Sequence, residues 1–227
     1  MTELRISFVK PTAWEHEVAS KITEAVLQAC IKHGSCTVLL TGGRSAERLY
    51  KAWSALPKFT QLRNVHFYFG DERCVPPGHA ESVYGLAMRS LFQRGVPKDC
   101  TVTRMHAEQL DREAAAEAYG KQLPSRLDVM LLSVGEDGHV ASLFPHNPAL
   151  LETRRRVVPV HAPKQPPERL TVTPLIITQA AQVFVMAIGS AKASVFRRAQ
   201  SVPNDILALP ARLALNATWF LDTQLVS

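Results

Sequence analysis

The chain alternates between short apolar runs and longer stretches in which apolar residues recur every three or four positions. The runs are CTVLL at Cys36–Leu40, VHFYF at Val65–Phe69, DVMLLSV at 128–134, QVFVMAI at 182–188 and TWFLD at 218–222. All are too short for stable helices and suit buried strands. Weaker signals place strands at 101–105 and 157–160. Val18, Ile22, Val26 and Ala29 recur at helical spacing; Thr12-Ala13-Trp14-Glu15 has the form of a capping box before them, and Gly34 offers a stop. Further helices are predicted over 45–55, 82–93 and 111–122, from Thr173-Pro174 with proline in the first turn, and after Gly189 on a segment carrying Lys192.

Strand and helix alternate along the whole chain, which predicts an α/β fold with a mainly parallel sheet covered on both faces. No repeat, low-complexity tract or long linker divides it. A single domain is the simplest reading, with 147–170, including the Pro/Lys-rich stretch 162–168, as a partly separate excursion.

In such a sheet the functional groups belong at the carboxyl ends of the strands. Three polar clusters follow three of the apolar runs directly: Thr41 to Ser45, Gly70 to Arg73, and Gly135 to Ser142. Topology gathers all three along one edge. TGGRS suits either a phosphate cradle, in which backbone amides approach an anion, or a tight strand-to-helix turn. GDER places Asp71, Glu72 and Arg73 at a strand end, where Arg73 either pairs with Glu72 or grips an oxyanion with its planar fork. GEDGHVAS is the most informative. Asp137 and His139 are two apart, so both can face one cavity from an irregular loop. A neutral imidazole, with an ordinary pKa of about 6.5, can take a proton from water at neutral pH, and a carboxylate beside it can fix its tautomer. No serine sits in a nucleophile elbow and no HExxH is present, which favours activated water and points to no metal.

Composition narrows the field. At 46% hydrophobic and 20% charged the chain is an ordinary globular sequence. Its net charge of +6 is scattered, and 7% aromatic residues with no basic interleaving argue against nucleic-acid binding and for small anionic substrates. No window is apolar enough for a membrane span, and the first residues do not form a signal peptide. Cys30, Cys36, Cys74 and Cys100 form no CxxC pair and suit reduced thiols in a cytoplasmic protein.

LTGGRSAERLY at 40–50, FGDERCVPPGHAES at 69–82, LLSVGEDGHVASLFPH at 131–146, APKQPPERLTVTPLII at 162–177 and AIGSAKASVFRRA at 187–199 together resemble the 6-phosphogluconolactonases and their glucosamine-6-phosphate deaminase relatives. The resemblance implies a three-layer α/β/α fold of the deaminase and ribose-5-phosphate isomerase type. It implies cofactor-free hydrolysis of 6-phospho-D-glucono-1,5-lactone in the oxidative pentose phosphate pathway, by a monomer or homodimer. His139 is then the general base. Asp137 and Asp71 line the sugar site, and Arg73 steadies the substrate or the developing oxyanion. Gly42, Gly43 and Ser45 lie on the phosphate side, with Arg169 and Lys192 as phosphate holders, and Arg44 either adds a phosphate contact or points away. Arg44, Val83 and Val140 depart from the family pattern. A sugar-phosphate isomerase or deaminase, and a non-catalytic sugar-phosphate-binding module, are the alternatives; Arg73 replaces the Tyr expected of the former.

Overall fold

A computed structural model describes residues 5–201 and 205–222. Seven strands form one parallel sheet: β1 (Arg5–Val9), β2 (Cys36–Leu40), β3 (Val65–Phe69), β5 (Thr101–Val102), β6 (Val129–Ser133), β9 (Gln182–Ala187) and β10 (Thr218–Asp222), in the order β1-β10-β9-β6-β2-β3-β5. Three more, β4 (Asp71–Arg73), β7 (Val157–His161) and β8 (Glu168–Val172), form an antiparallel sheet in the order β4-β8-β7.

The central strands are buried on both sides, and their alternate residues feed two cores. On one face Leu39, Met130, Leu132, Val185 and Trp219 meet the helices α5 (Arg112–Gln122), α6 (Pro174–Gln179) and α7 (Ser190–Ser201). On the other, Val38, Leu40, Val129, Leu131, Phe184 and Phe220 meet α1 (Trp14–His33), α2 (Arg44–Ala55) and α4 (Val83–Ser90). The short α3 (Pro57–Thr60) carries buried Phe59, whose ring meets Trp53 edge-on at 5.4 Å. Burying one such side chain is worth about 1.5–3 kcal/mol. This is the three-layer arrangement expected from the alternating pattern.

Several local expectations need correction. Helix α1 begins at Trp14 with Ala13 at its N-cap and no side-chain cap, so Thr12 forms no capping box; Gly34 does end the helix, at φ 77°. Asp71 to Arg73, expected at a strand end, is itself a short strand, and residues 168–172, which carried no strand prediction, form β8. Strand β1 carried no sequence prediction. Among the described residues no helix is long and apolar enough to cross a membrane.

The order of strands explains the position of the site. β2 and β6 are neighbours, yet the chain leaves β2 toward β3 and β6 toward β9, in opposite directions across the sheet. Their carboxyl ends therefore open a crevice at the point where the winding reverses.

Candidate active site

Two buried tyrosines fix the strand ends that face this crevice. The Tyr50 hydroxyl, from α2, donates to the Thr41 carbonyl at 2.7 Å and accepts from the Thr41 amide at 2.9 Å. The Tyr119 hydroxyl, from α5, does the same for Phe69, donating to its carbonyl at 3.2 Å and accepting from its amide at 2.7 Å. Burial pushes both phenols up, so they stay protonated and keep both roles. The turns after β2 and β3 thus leave the sheet from anchored points.

After β3 the chain changes partners. The Gly70 amide donates to Leu40 of β2, while its carbonyl accepts from Val172 of β8. β4 then pairs with β8 in the register Asp71 with Thr171, Glu72 with Leu170, and Arg73 with Arg169. Alternation puts Asp71, Arg73, Arg169 and Thr171 on one face and Glu72 on the other. Glu72 turns away and accepts from the amides of Arg73, Val83 and Tyr84 and from the Ser82 hydroxyl, at 2.7–3.0 Å. It thereby caps α4. Burial raises its pKa, and those four donors oppose the rise. Of the two readings for Arg73, the side-chain pair with Glu72 does not form. Arg73 Nη1 instead donates to the Glu81 carbonyl at 2.7 Å and its carboxylate at 3.3 Å.

The loop after β6 supplies the titratable pair. His139 Nδ1 lies 2.5 Å from Asp137 Oδ1, and the imidazole stacks on Phe144 at 4.3 Å with 28° between planes. Gly135 makes room for this arrangement. A Cβ at 135 would collide with Cε1 and Nδ1 of His139 and lie 2.5 Å from Asp137 Oδ1. Gly138, at φ 90°, completes the turn in a conformation that L side chains disfavour, and a Cβ there would run into Leu209. Burial alone would raise the Asp137 carboxyl. The hydrogen bond and charge of His139, with Lys164 at 3.0 Å, outweigh it and hold the carboxyl well below the usual range.

These elements enclose a cavity of about 350 Å³. His139, Arg73, Asp71, Arg169 and Lys192 line it together with the turn at Gly42 and Gly43. Segments separated by more than a hundred positions therefore meet at one crevice. Asp137 stands behind His139 rather than in the wall. Ser45 also stands back and accepts from Lys192 Nζ at 3.1 Å. Arg44 is exposed and lies outside the wall, though its charge joins burial in lowering the Lys192 pKa, against Glu136. The wall also holds Thr41 and Glu136, which the predicted clusters contained without a role for either, and Ser133 and Lys164, to which sequence reasoning gave no place in the site. Lys164 had one signal: a lysine among prolines, five residues before Arg169.

The cavity wall carries a positive balance, with Arg73, Lys164, Arg169 and Lys192 against Asp71 and Glu136. Arg169 is buried, and its pKa is lowered by burial first and Arg73 second, with Asp71 and Glu81 opposing. Asp71 accepts from Ser142 Oγ at 2.7 Å, and Arg169 Nη1 donates to the same hydroxyl at 3.4 Å. Arg73 Nε and Ser133 Oγ are buried with no partner in the protein. A larger cleft of about 670 Å³ lies between α5 and β7, but its Arg155 is already paired with Glu113 and Glu152. No group of three or more His, Cys, Asp or Glu among the described residues converges to hold a metal ion.

Residues 10–221 match the sequence model of the glucosamine-6-phosphate isomerases/6-phosphogluconolactonase family. The chain belongs to this family. A 6-phosphogluconolactonase of Streptomyces coelicolor is 34% identical, over 92% of this chain and 88% of its own. The crystal structure of a 6-phosphogluconolactonase from Shewanella baltica matches with a TM-score of 0.86 at 25% identity, covering 97% of this chain and 98% of that one. The 6-phosphogluconolactonase from Trypanosoma brucei matches with a TM-score of 0.84 at 27% identity, covering 100% and 98%. The expected α/β/α fold and family are thus both found. Two of the departures from the family pattern have structural settings. Val83 is buried against the glycine turn, where a Cβ on Gly42 would sit 2.8 Å from its Cγ2. Val140 is buried in the core and bridges Val134 and Leu143.

Proposed function

We propose that this protein hydrolyses 6-phospho-D-glucono-1,5-lactone to 6-phosphogluconate, in the cytoplasm, with the whole chain acting as one lactonase domain. The observation that carries this reading is the His139–Asp137 pair at the rim of a crevice that also holds two opposed arginines and the half-buried Lys192.

Asp137 accepts from Nδ1–H of His139, which leaves Nε2 unprotonated toward the cavity. Nε2 takes a proton from water as the water oxygen bonds to the lactone carbonyl carbon. The carbonyl π pair moves onto oxygen, and Arg73 holds that charge through the N–H groups Glu81 does not use. The carbonyl then reforms, the bond to the ring oxygen breaks, and the imidazolium returns its proton to that oxygen. No covalent enzyme intermediate is required. Lys192, Arg169 and the amides of Gly42 and Gly43 hold the phosphate, and Asp71 accepts from a sugar hydroxyl. Anchoring the phosphate several bonds from the reacting carbon orients the carbonyl.

Freshly prepared 6-phosphogluconolactone, with product formation coupled to a dehydrogenase and corrected for spontaneous opening, tests the reading. Lactone opening without ammonia release from glucosamine 6-phosphate is expected. Ammonia release would favour the deaminase. Binding of 6-phosphogluconate with no rate above the spontaneous one would favour a non-catalytic module.

A further inference from the structure

Asp137 has two cationic or protonatable partners, one on each oxygen. Oδ1 faces His139 Nδ1 at 2.5 Å, and Oδ2 faces Lys164 Nζ at 3.0 Å. Lys164 comes from the turn between β7 and β8, distant in sequence from the loop that carries the pair. Its ammonium lies 5.8 Å from the centre of the Phe144 ring on which His139 stacks. Its main chain is pinned: Arg169 donates through Nη2 to the Lys164 carbonyl at 3.3 Å and through Nε to the Pro166 carbonyl at 3.0 Å, and the Ala162 amide donates to Pro167 at 2.7 Å. The lysine is thus held by the buried arginine beside the cavity, not left to wander on a surface loop.

We infer that Lys164 is a positioning residue for the general base: by sharing the Asp137 carboxylate it weakens that carboxylate's pull on the imidazole proton while leaving the ring's orientation fixed. A carboxylate committed wholly to an imidazole favours the imidazolium, which cannot accept a proton from water. A cation on the second oxygen offsets part of that charge and still leaves Oδ1 to set the tautomer. The other charged groups that line the cavity with His139 are Glu136 on its own loop, Asp71 and Arg73 from β4, Arg169 from β8 and Lys192 from α7. All of these remain when Lys164 is changed, and Lys164 alone among them has an ion pair with Asp137.

The inference rests on the proposed lactonase reading, and its test separates the two. Lys164→Met and Lys164→Arg are compared with wild type by NMR titration of the His139 ring in unliganded protein, and by the pH dependence of lactone kcat/KM. Lys164 is half-exposed and belongs to neither core cluster, so both variants are expected to fold. In Lys164→Met the His139 titration midpoint and the acid limb of kcat/KM move together to higher pH, by about half a unit or more. Lys164→Arg restores both. An unmoved His139 titration in Lys164→Met overturns the inference, and a rise in KM alone would place Lys164 on the substrate instead. The ring titration needs no turnover, so it decides the role of Lys164 even if the lactone proves not to be the substrate.

Discussion

Arg73 and Arg169 stand opposite each other as a registered antiparallel pair at the cavity wall. Like charges directly across a sheet repel, and Asp71 and Glu81 only partly offset them. The proposed anionic substrate would sit between these charges and complete the arrangement. The two arginines nevertheless have different duties. Arg169 is tied down by Ser142 and two carbonyls of the loop it supports. Arg73 keeps a buried Nε with no partner.

Arg73→Met is expected to lower kcat for the lactone by about 10²–10³-fold, with a much smaller change in KM, because its free donors serve charge that develops on the carbonyl oxygen. Steady-state kinetics check this. A change confined to KM would move Arg73 to ground-state phosphate binding.

Gly135→Ala is expected to remove most turnover while leaving the fold intact. The added methyl takes the space of the His139 ring, and a side chain can swing aside where backbone could not. Its kcat should fall close to that of His139→Ala, with little change in the thermal midpoint.

Asp137→Asn is expected to cost about 10²-fold in kcat through loss of the tautomer lock. It also carries a pH signature. The folded Asp137 carboxyl is depressed, so its stabilising contribution is full above the unfolded value of about 3.9 and disappears as pH falls through the folded value. The gap in thermal midpoint between wild type and Asp137→Asn should therefore be widest at neutral pH and narrow below about pH 4.

Glu72→Ala is expected to lower stability by about 2–4 kcal/mol in urea unfolding, because it leaves the donors at the start of α4 unpaired in a buried setting. Glu72→Gln keeps the shape and should recover part of the loss.

Sequence reasoning found the parts of the fold that depend on burial. β2, β6 and β9 lie inside the sheet with both faces covered, so they appear as apolar runs that can be little else. β1 lies at the sheet edge with mostly exposed or half-exposed residues, and RISFV carries no such signal. β4 and β8 were hidden for a different reason. DER and ERLTV lack an apolar run, with Asp71, Arg73 and Arg169 lining the cavity and Glu72 turned toward α4, and only their long-range pairing makes them strands. The same pairing set the opposition of Arg73 to Arg169, which no local pattern encodes. His139 and Asp137 were legible because their partnership is local, two residues apart on one loop. Lys164 was not, because its bond to Asp137 joins loops whose proximity depends on the second sheet.

The rate of 6-phosphogluconolactone opening by His139→Ala, set against wild type and the spontaneous reaction, tests the central claim most directly. The account predicts a loss of about 10²–10⁴-fold in kcat with 6-phosphogluconate binding largely kept. Equal rates for the two proteins would contradict it.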